Sequence, residues 1–302
     1  MTPNSTPRTI AIYGSRRQEQ YLSKIADLLR LLQDNSFQIV IHPNLYNYLL
    51  DKIDLPESCL SAMEIPSEAE AALSIGGDGT FLRTAQWVGN RQIPILGINT
   101  GHLGFLSMCD IEDPKSIVDD ITDRNLTIEQ RSMLRLEAPY IPDDFWPYAL
   151  NEVAILKQDT ASMITVQTKV DNSFLTDYLA DGLLVSTPTG STGYNMSVGG
   201  PILRPTIDNW VLSPVAPHSL TMRPLVINSD AIIQVCTVSR AKTYPISLDG
   251  RSYSLPCGST ITIRKAEFPM LVMRRNNDNF AATLRNKLLW GARGYPHSNI
   301  AL

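Results

Sequence analysis

One stretch of the sequence restricts the fold more than any other, the segment AALSIGGDGTFLR from Ala71 to Arg83. A short apolar run ends at Ile75, five residues of turn type follow, and apolar residues at helical spacing begin after them. This order predicts a strand, a tight turn and the start of a helix. Glycine lets the backbone adopt positive φ and approach a ligand closely, because no Cβ is in the way. The segment therefore predicts a ligand-binding turn at the end of a strand.

Asp78 is the one side chain of the turn with acid–base chemistry. A bare carboxylate repels phosphates unless it accepts a proton or binds a metal ion. Asp78 is therefore a candidate general base or magnesium partner. The alternative is a structural turn in which Asp78 caps the following helix. The turn alone leaves both interpretations open.

Composition limits the partners and the location of the protein. The chain has 302 residues, 43% of them hydrophobic and 19% charged, so two domains are expected. The formal net charge of −4 provides no basic field, so we expect no nucleic-acid partner. No apolar run approaches the roughly 20 residues of a membrane span, and residues 1–7 lack the apolar core of a signal peptide. We therefore expect no membrane association and a cytoplasmic location.

The cysteines and histidines are dispersed along the chain. The four cysteines form no CxxC pair, and the four histidines are equally scattered. This spacing predicts reduced thiols rather than disulfides or zinc, and no metal site built from protein ligands. The cysteines are Cys59, Cys109, Cys236 and Cys257, and the histidines are His42, His102, His218 and His297.

The first part of the chain alternates strand and helix patterns, which predicts a parallel sheet covered on both faces. Ligands of such sheets bind beyond the carboxyl ends of the strands, where the glycine turn falls. A second glycine-bearing loop, residues 99–105, leaves the same edge, and its Phe105 lies either under a ligand ring or in the core. The predicted strands are residues 9–13, 37–41, 71–75 and 93–98, and the predicted helices are 21–32, 45–53 and 110–123.

Short β-rich runs replace the helical periodicity in the second part of the chain. They predict an all-β domain over residues 129–275, after an α/β domain over residues 1–128. Apolar residues at helical spacing then predict a helix within residues 276–302, which returns to the N-terminal domain. The predicted strands are residues 133–138, 148–156, 163–170, 183–186, 210–212, 225–226, 231–237 and 260–264.

Two polar segments of the β-rich part are candidates for ligand binding. Asn151 and Glu152 interrupt an apolar strand, so their side chains either form internal hydrogen bonds or contact a ligand. Residues 181–201 lead from an apolar strand into a loop rich in hydroxyls and glycine, with one aromatic ring at Tyr194. That composition suits a ligand with hydroxyl groups and a planar ring.

Taken in order, these motifs resemble those of the bacterial NAD kinases: Gly76–Thr80, Asn151–Glu152, the stretch 181–201 and Asp249–Gly250. Diacylglycerol kinases and phosphofructokinases share the GGDGT turn, whereas the stretch 181–201 is the specific part. The resemblance implies a Rossmann-like, phosphofructokinase-like N-terminal domain and a C-terminal β domain. It implies ATP-dependent phosphorylation of the 2′-hydroxyl of the adenosine ribose of NAD+. It also implies Mg2+ or another divalent cation with ATP, and a homo-oligomer, either a dimer or a tetramer.

The resemblance also implies roles for particular residues, with Asp78 as the general base. Gly193 departs from the family, which usually has Ala there, and we expect this small change to be tolerated. Arg251 stands where Gln is common, so its contact is left open. The residues implied to contact the nucleotides are Gly77, Asp78, Gly79, Arg83, Phe105, Asn151, Glu152, Asp181, Thr189, Thr192, Gly193, Tyr194, Asn195, Met196, Ser197, Ala216 and Arg251.

Two other functions share part of this pattern. A lipid kinase of the diacylglycerol class has the same glycine turn, but the polar loop 181–197 offers no apolar trench for acyl chains. A catalytically silent NAD sensor keeps the pocket and lacks turnover, which the intact Asp78 argues against. No GxxxxGK[ST] segment is present, so a Walker-type nucleotide loop is excluded.

Overall fold

The computed structural model describes residues 8–101, 104–107, 109–159, 162–276 and 279–291. The described chain divides into two compact units. Unit 1 comprises the chain up to Glu129 and the chain from Val272 onward, and unit 2 is Gln130–Leu271. His102 and Leu103, which belong to the predicted second glycine loop, lie outside the described residues.

The elements up to residue 131 alternate between strand and helix. The strands are β1 (Arg8–Gly14), β2 (Phe37–Ile41), β3 (Cys59–Ser61), β4 (Ala69–Ile75), β5 (Ile95–Asn99), β6 (Cys109–Asp110) and β7 (Leu126–Arg131). The helices are α1 (Leu22–Asp34), α2 (Pro43–Leu50), α3 (Asp78–Val88) and α4 (Pro114–Thr122).

Strands dominate the rest of the described chain. They are β8 (Leu134–Glu137), β9 (Tyr148–Ala149), β10 (Glu152–Leu156), β11 (Ile164–Val170), β12 (Ser173–Ala180), β13 (Gly182–Ser186), β14 (Asn209–Val215), β15 (Leu225–Asn228), β16 (Ile233–Val238), β17 (Thr243–Leu248), β18 (Arg251–Pro256), β19 (Thr260–Lys265) and β20 (Met270–Arg275). The helices are the single turn α5 (Tyr194–Ser197) and α6 (Phe280–Leu288). A short 3-10 turn also spans Thr189–Thr192. No helix of the described chain is long and apolar enough to cross a membrane.

The sheet of unit 1 has the strand order β3-β2-β1-β4-β5-β20-β7, and β6 also pairs with β5. The pairs β1–β2, β1–β4, β4–β5 and β5–β20 are parallel. Residues 71–75 of β4 are buried without alternation, as expected for a strand covered on both faces. Helix α1 is amphipathic and buries Ile25, Leu28, Leu29 and Leu32 in the same core as these strands.

The register of the central strands brings three loops to one edge of the sheet. Gly14 at the end of β1 lies opposite Ile75 at the end of β4, and Ile75 lies opposite Ile98 of β5. The loops that follow these three strands therefore start side by side. The glycine turn after Ile75 is the central one of the three.

The strand β20 differs from the sequence-based assignment. Residues 270–275 were predicted to belong to the β-rich domain, but β20 joins the sheet of unit 1, where Val272 lies opposite Ile95. Arg275 connects the strand to α4, since its Nε donates to Asp120 Oδ2 at 2.6 Å and its Nη2 donates to Ser116 Oγ at 2.7 Å. No strand was predicted over these residues, and a local pattern could not have identified the partner of β20, because strand pairing is non-local.

Unit 2 consists of two antiparallel sheets of six strands each. Their orders are β15-β14-β13-β10-β17-β18 and β12-β11-β16-β19-β8-β9. Inward side chains of both sheets form one core that contains the fully buried rings of Trp210 and Tyr244. Three strands of this unit, β12, β17 and β18, were not predicted, because polar residues and a proline interrupt their apolar pattern. The predicted fold class, an α/β part, a β part and a C-terminal helix, is confirmed.

Candidate active site

The glycine turn changes the direction of the chain between β4 and α3. Gly76 has φ +150°, a value that residues with a side chain rarely adopt. A Cβ at this position would also lie 2.5 Å from Thr80 Oγ1. Gly77 is the N-cap of α3 and has extended backbone angles, so Asp78 is the first residue of the helix. The turn thus requires glycine at position 76 for both conformation and space.

The carboxylate of Asp78 is held by a neighbouring loop. Its Oδ2 accepts a hydrogen bond from the backbone N–H of Phe105 at 2.8 Å, and its Oδ1 accepts one from Leu106 at 3.0 Å. Asp78 makes no capping bond to α3. The interpretation of Asp78 as a simple helix cap is therefore wrong, because the side chain points across to the loop after β5. A carboxylate has about four acceptor positions, so this arrangement leaves part of its capacity for a ligand.

The loop that holds Asp78 is itself fixed by the last helix. A Cβ on Gly104 would lie 2.4 Å from Asp78 Oδ1, so the close approach of the carboxylate needs glycine there. Lys287 of α6 donates to the carbonyl oxygen of Gly104 and, at 3.0 Å, to that of Ser107. Ser107 Oγ donates to the carbonyl oxygen of Gly76 at 3.0 Å. Lys287 was not among the predicted site residues, because nothing in its local sequence pattern identifies partners so distant along the chain.

Two further predicted residues of unit 1 are exposed. A Cβ on Gly79 would meet no atom within 4 Å, so packing within the described chain does not require glycine there. Arg83 lies farther along α3 with an exposed side chain. Phe105 is half-buried and contributes its backbone N–H to Asp78, and no contact with a ligand is needed to explain it.

Asn151 and Glu152 of unit 2 are positioned through their backbone. The carboxylate of Asp249 accepts hydrogen bonds from the N–H groups of Leu150, Asn151 and Glu152 at 2.7, 2.8 and 3.1 Å. Asp249 and Gly250 form the turn between β17 and β18, and both have positive φ. Burial raises the pKa of Asp249, while these three hydrogen bonds and Arg251 act in the opposite direction. The sequence motif did not predict that Asp249 positions the backbone of residues 150–152.

Arg251 holds the same segment from its other end. Its guanidinium donates to the carbonyl oxygens of Trp146 at 2.7 Å and Tyr148 at 2.6 Å. The guanidinium carbon also lies 5.4 Å from the centre of the Phe145 ring and 5.2 Å from that of Trp146. Burial lowers the pKa of Arg251. The contact that the sequence left open is therefore an internal one in this structure.

Two polar atoms near Gly193 lack a partner in the described chain. Asn151 Oδ1 and Glu152 Oε2 are buried, and neither has a hydrogen-bond partner there. A Cβ on Gly193 would lie 3.4 Å from Asn151 Nδ2 and 3.4 Å from Glu152 Oε2. Burial, with a smaller effect of Asp249, raises the pKa of Glu152 to about 8, while the backbone N–H of Tyr194 acts in the opposite direction. Unpartnered buried polar atoms are costly, so this site is suited to a ligand whose groups both donate and accept hydrogen bonds, such as hydroxyls.

The hydroxyl-rich loop divides into internal and outward-facing residues. Asn195 is fully buried, and its Nδ2 donates to the carbonyl oxygens of Ser191 at 3.2 Å and Pro201 at 3.1 Å. Its Oδ1 accepts from Ser213 Oγ at 2.6 Å. The side chain of Asn195 therefore fixes the loop and has no free face for a ligand. Thr192, Gly193 and Met196 are half-buried, whereas Tyr194 and Ser197 are exposed.

Of the remaining predicted residues, two have side-chain partners within the chain and one has a positive φ. Thr189 is buried, and its Oγ1 lies 3.5 Å from Nη1 of Arg131. Asp181 forms an ion pair with Lys157 at 2.7 Å. Ala216 follows β14 directly, is exposed and has φ +44°. The structure thus groups Asn151, Glu152, Gly193 and Tyr194 in unit 2, and Asp78 with Phe105 in unit 1.

Two family models match this chain. The ATP-NAD kinase N-terminal domain matches residues 10–126, and the ATP-NAD kinase C-terminal domain matches residues 150–275. The NAD kinase of Porphyromonas gingivalis is 41% identical over 286 residues, which cover 94% of this chain and 99% of the relative. The NAD kinase of Bacteroides fragilis is 41% identical over 283 residues, which cover 93% of this chain and 98% of the relative.

Two solved structures have the same fold. Yeast NADH kinase complexed with NADH matches with a TM-score of 0.85 at 20% identity, covering 98% of this chain and 94% of that one. An NAD kinase from Archaeoglobus fulgidus in complex with ATP matches with a TM-score of 0.69 at 26% identity, covering 92% of this chain and 98% of that one. The fold is therefore one that kinases of nicotinamide dinucleotides adopt.

The chain belongs to the ATP-NAD kinase family, since the two family models together match most of its length. The predicted family and the predicted NAD kinase function are thereby confirmed. The roles of individual residues stay predictions.

Two glycines of the hydroxyl-rich loop allow a matched test of its geometry. A Cβ at Gly190 would lie 2.1 Å from the backbone oxygen of Asn151, whereas at Gly193 the closest atom, Gly190 O, is 3.2 Å away. We expect Gly190→Ala to lower the free energy of unfolding by about 3 kcal/mol and Gly193→Ala by about 1 kcal/mol or less. Urea unfolding of both variants checks this, and equal losses would contradict the described loop.

The raised pKa of Glu152 predicts a pH-dependent stability. Its ordinary pKa is 4.5 and the folded-state pKa is about 8, so between these values the folded protein keeps a proton that the unfolded chain loses. The stabilisation is complete below the lower value and is lost as the pH rises to the upper one. We expect Glu152→Gln to raise the melting temperature relative to wild type more at pH 8.5 than at pH 5. The exposed Glu57→Gln is the control, and a pH-independent difference for Glu152→Gln would oppose the assignment.

Proposed function

We propose that the protein transfers the γ-phosphoryl group of ATP to the 2′-hydroxyl of the adenosine ribose of NAD+, giving NADP+ and ADP. Curated relatives at about 41% identity are NAD kinases, and the two similar solved kinases are complexes with NADH and with ATP. The observation that carries the proposal is the carboxylate of Asp78. It stands at the start of α3 beside a glycine turn, and two backbone amides orient it.

In the proposed reaction Asp78 acts as the general base. The ribose hydroxyl oxygen attacks the γ-phosphorus, and its proton passes to the Asp78 carboxylate. The new oxygen–phosphorus bond forms as the bond from the γ-phosphorus to the bridging oxygen of ADP breaks. Because the transition state of phosphoryl transfer is loose, alignment and charge stabilisation provide most of the catalysis. The amides of Phe105 and Leu106 fix the carboxylate for this alignment.

Asn151 and Glu152 are proposed to bind the ribose on the nicotinamide side of NAD+, and residues 192–197 its adenosine portion. Asn151 Oδ1 and Glu152 Oε2 are buried polar atoms without a partner in the described chain, and ribose hydroxyls can both donate and accept hydrogen bonds. Tyr194 is 39% exposed and adjoins Gly193, so its ring is available to stack on a planar base. Asp249 and Arg251 keep the backbone of this segment in place.

Mg2+ is proposed to enter with ATP as part of the substrate complex. No group of three or more His, Cys, Asp or Glu side chains suited to a metal ion occurs among the described residues. Mg2+ is commonly held by substrate phosphates and one or two carboxylates, so binding with ATP does not require such a group. The cation would neutralise charge on the transferring phosphoryl group. The homo-oligomeric state and the cytoplasmic location stay predictions from the sequence.

The first test is the substitution Asp78→Asn, which keeps the shape of the side chain and removes its basicity. We expect the rate of NADP+ formation to fall about 10²- to 10⁴-fold, the range typical of a lost general base. NADP+ is measured with a coupled dehydrogenase after addition of NAD+, ATP and Mg2+, and NAD+ binding is measured by calorimetry. Near-normal turnover in the variant would remove Asp78 from this role.

The matched control for this substitution is Asp113→Asn. Asp113 caps α4, where its Oδ1 accepts from the N–H of Ser116 at 3.1 Å, and Asn is an equally good cap. We expect unchanged turnover. Absence of product from the wild-type protein, with NAD+ still bound, would instead indicate a silent sensor.

Gly79→Ala separates a ligand requirement from a packing requirement. A Cβ at this position meets no atom within 4 Å, and Ala is the better helix former by roughly 0.5–1 kcal/mol. We therefore expect equal or higher stability but at least a tenfold lower kcat/KM, because the methyl group occupies space that the phosphates approach. Thermal unfolding and steady-state kinetics are measured on the same preparation of the variant. An unchanged kcat/KM would show that Gly79 is not required for ligand binding.

A further inference from the structure

A cavity of about 470 Å³ lies in unit 1 at the amino-terminal ends of the parallel strands β1, β4 and β5. It borders Arg8 at the start of β1, Glu70 and Ala71 near the start of β4, and Pro94, which directly precedes β5. The glycine turn follows the opposite end of β4, where Ile75 lies about 13 Å from Ala71 along the strand. The cavity is therefore separate from the candidate active site.

One side of the cavity is apolar. Ile121 of α4 is 5% exposed and belongs to the core of the unit, and Leu126 of β7 and Met273 of β20 pack against that core. Pro94 and Ile128 also line the cavity, and Ile128 is 53% exposed. These side chains form one apolar surface rather than isolated exposed residues, so a hydrocarbon group that covers them gains free energy by leaving water.

Charged residues form the other side of the cavity. Arg8 Nε donates to Glu70 Oε1 at 2.9 Å, so these two residues neutralise each other. Asp120 is paired with Arg275, whose Nε lies 2.6 Å from its Oδ2. Arg124 has no hydrogen bond or ion pair within the described part of the chain. Among the described lining residues, Arg124 is therefore the one whose charge has no protein partner.

The backbone does not explain an arginine at position 124. Arg124 directly follows Asp123, the C-cap of α4, and has φ +56°. The N–H of Asn125 donates to the carbonyl oxygen of Asp120 at 3.0 Å, which closes the end of the helix. Glycine is the usual residue at such a position, because it has no Cβ to strain the left-handed conformation. The chain thus has an unpaired charged side chain where the backbone favours glycine.

The lining indicates the chemical class of a ligand. A guanidinium binds a carboxylate through two parallel hydrogen bonds, and the apolar side provides a surface for a hydrocarbon chain or ring. The carboxylates of Glu70 and Asp120 repel a ligand with several negative charges, so the cavity is unsuited to a polyphosphate. A single negative charge on an apolar body satisfies both sides of the cavity.

We propose that this cavity binds an amphipathic monocarboxylate, with its carboxylate at Arg124 and its apolar body against Ile121, Ile128 and Met273. The proposal goes beyond the proposed function, because none of these residues belongs to the nucleotide-binding set. The cavity volume lies within the roughly 300–1,000 Å³ typical of small-molecule sites. Octanoate, a linear monocarboxylate, is the probe for the tests.

The first test is calorimetry of the full-length protein with linear carboxylates. From butyrate through hexanoate to octanoate, the affinity rises about fourfold for each methylene group that leaves water. Octylammonium has the same chain with the opposite charge, and it binds at least about tenfold more weakly because only a carboxylate pairs with a guanidinium.

The second test removes the guanidinium with Arg124→Gly. The Kd for octanoate rises roughly tenfold or more, as expected for a lost charge-assisted contact. The melting temperature stays equal to that of wild type or rises, because glycine suits the left-handed backbone. The matched control is Ser36→Gly, at a position after α1 with φ +63°, and this variant binds octanoate as wild type does.

The third test shortens the apolar side with Ile128→Thr. Because Ile128 is 53% exposed, the substitution removes little from the core, and the melting temperature changes little. The Kd for octanoate rises about fourfold, the effect of one lost methylene contact. The control is Ile232→Thr in unit 2, where the side chain is 43% exposed, and it leaves the Kd unchanged.

The proposal is overturned if octanoate does not bind the wild-type protein at millimolar concentration. It is also overturned if Arg124→Gly and Ile128→Thr bind octanoate as wild type does, since the binding would then take place elsewhere. Equal affinity for octanoate and octylammonium would show that the guanidinium has no part in recognition. All three tests measure binding or melting rather than turnover, so failure of the proposed kinase reaction would leave their outcomes unchanged.

Discussion

Two hydrogen bonds between one carboxylate and two backbone amides determine how the edge of unit 1 that carries the glycine turn is built. Asp78 reaches its partners only because β4 and β5 are adjacent and parallel, so their following loops meet at one edge. The contact also needs a residue without a side chain at Gly104. The position of the Asp78 carboxylate therefore depends on the sheet order, on the glycine at position 104 and on the loop conformation together.

Unit 2 uses the same interaction for a different purpose. Asp249 accepts hydrogen bonds from three backbone amides and fixes a segment in which Asn151 Oδ1 and Glu152 Oε2 have no partner in the described chain. Both carboxylates precede a glycine in the sequence, yet Asp78 retains capacity for a ligand whereas Asp249 stabilises the backbone. The two carboxylates therefore differ in how many backbone amides they bind, two for Asp78 and three for Asp249, and not in the Asp-Gly motif that they share.

Local patterns predicted the parallel sheet, the glycine turn and the polar pair at residues 151–152, because strand and helix periods and glycine positions are encoded within short segments. The same patterns could not assign β20 to its sheet, or identify Asn195 as buried and Lys287 as a partner of the Asp78 loop. Each of these depends on a partner distant in sequence. Composition likewise indicated a ligand-binding loop without separating its internal hydroxyls from its outward ones.

Unit 1 is assembled from two separated parts of the chain, with all of unit 2 between them. During synthesis on a ribosome, β20 and α6 emerge only after all of unit 2 has been made. The sheet of unit 1 therefore cannot be completed by β20 until the chain of unit 2 is already available to fold. The loop that orients Asp78 gains its contact with Lys287 at the end of this sequence. In a nascent polypeptide the loop that binds the Asp78 carboxylate would therefore lack its contact with Lys287 until the last helix has been made.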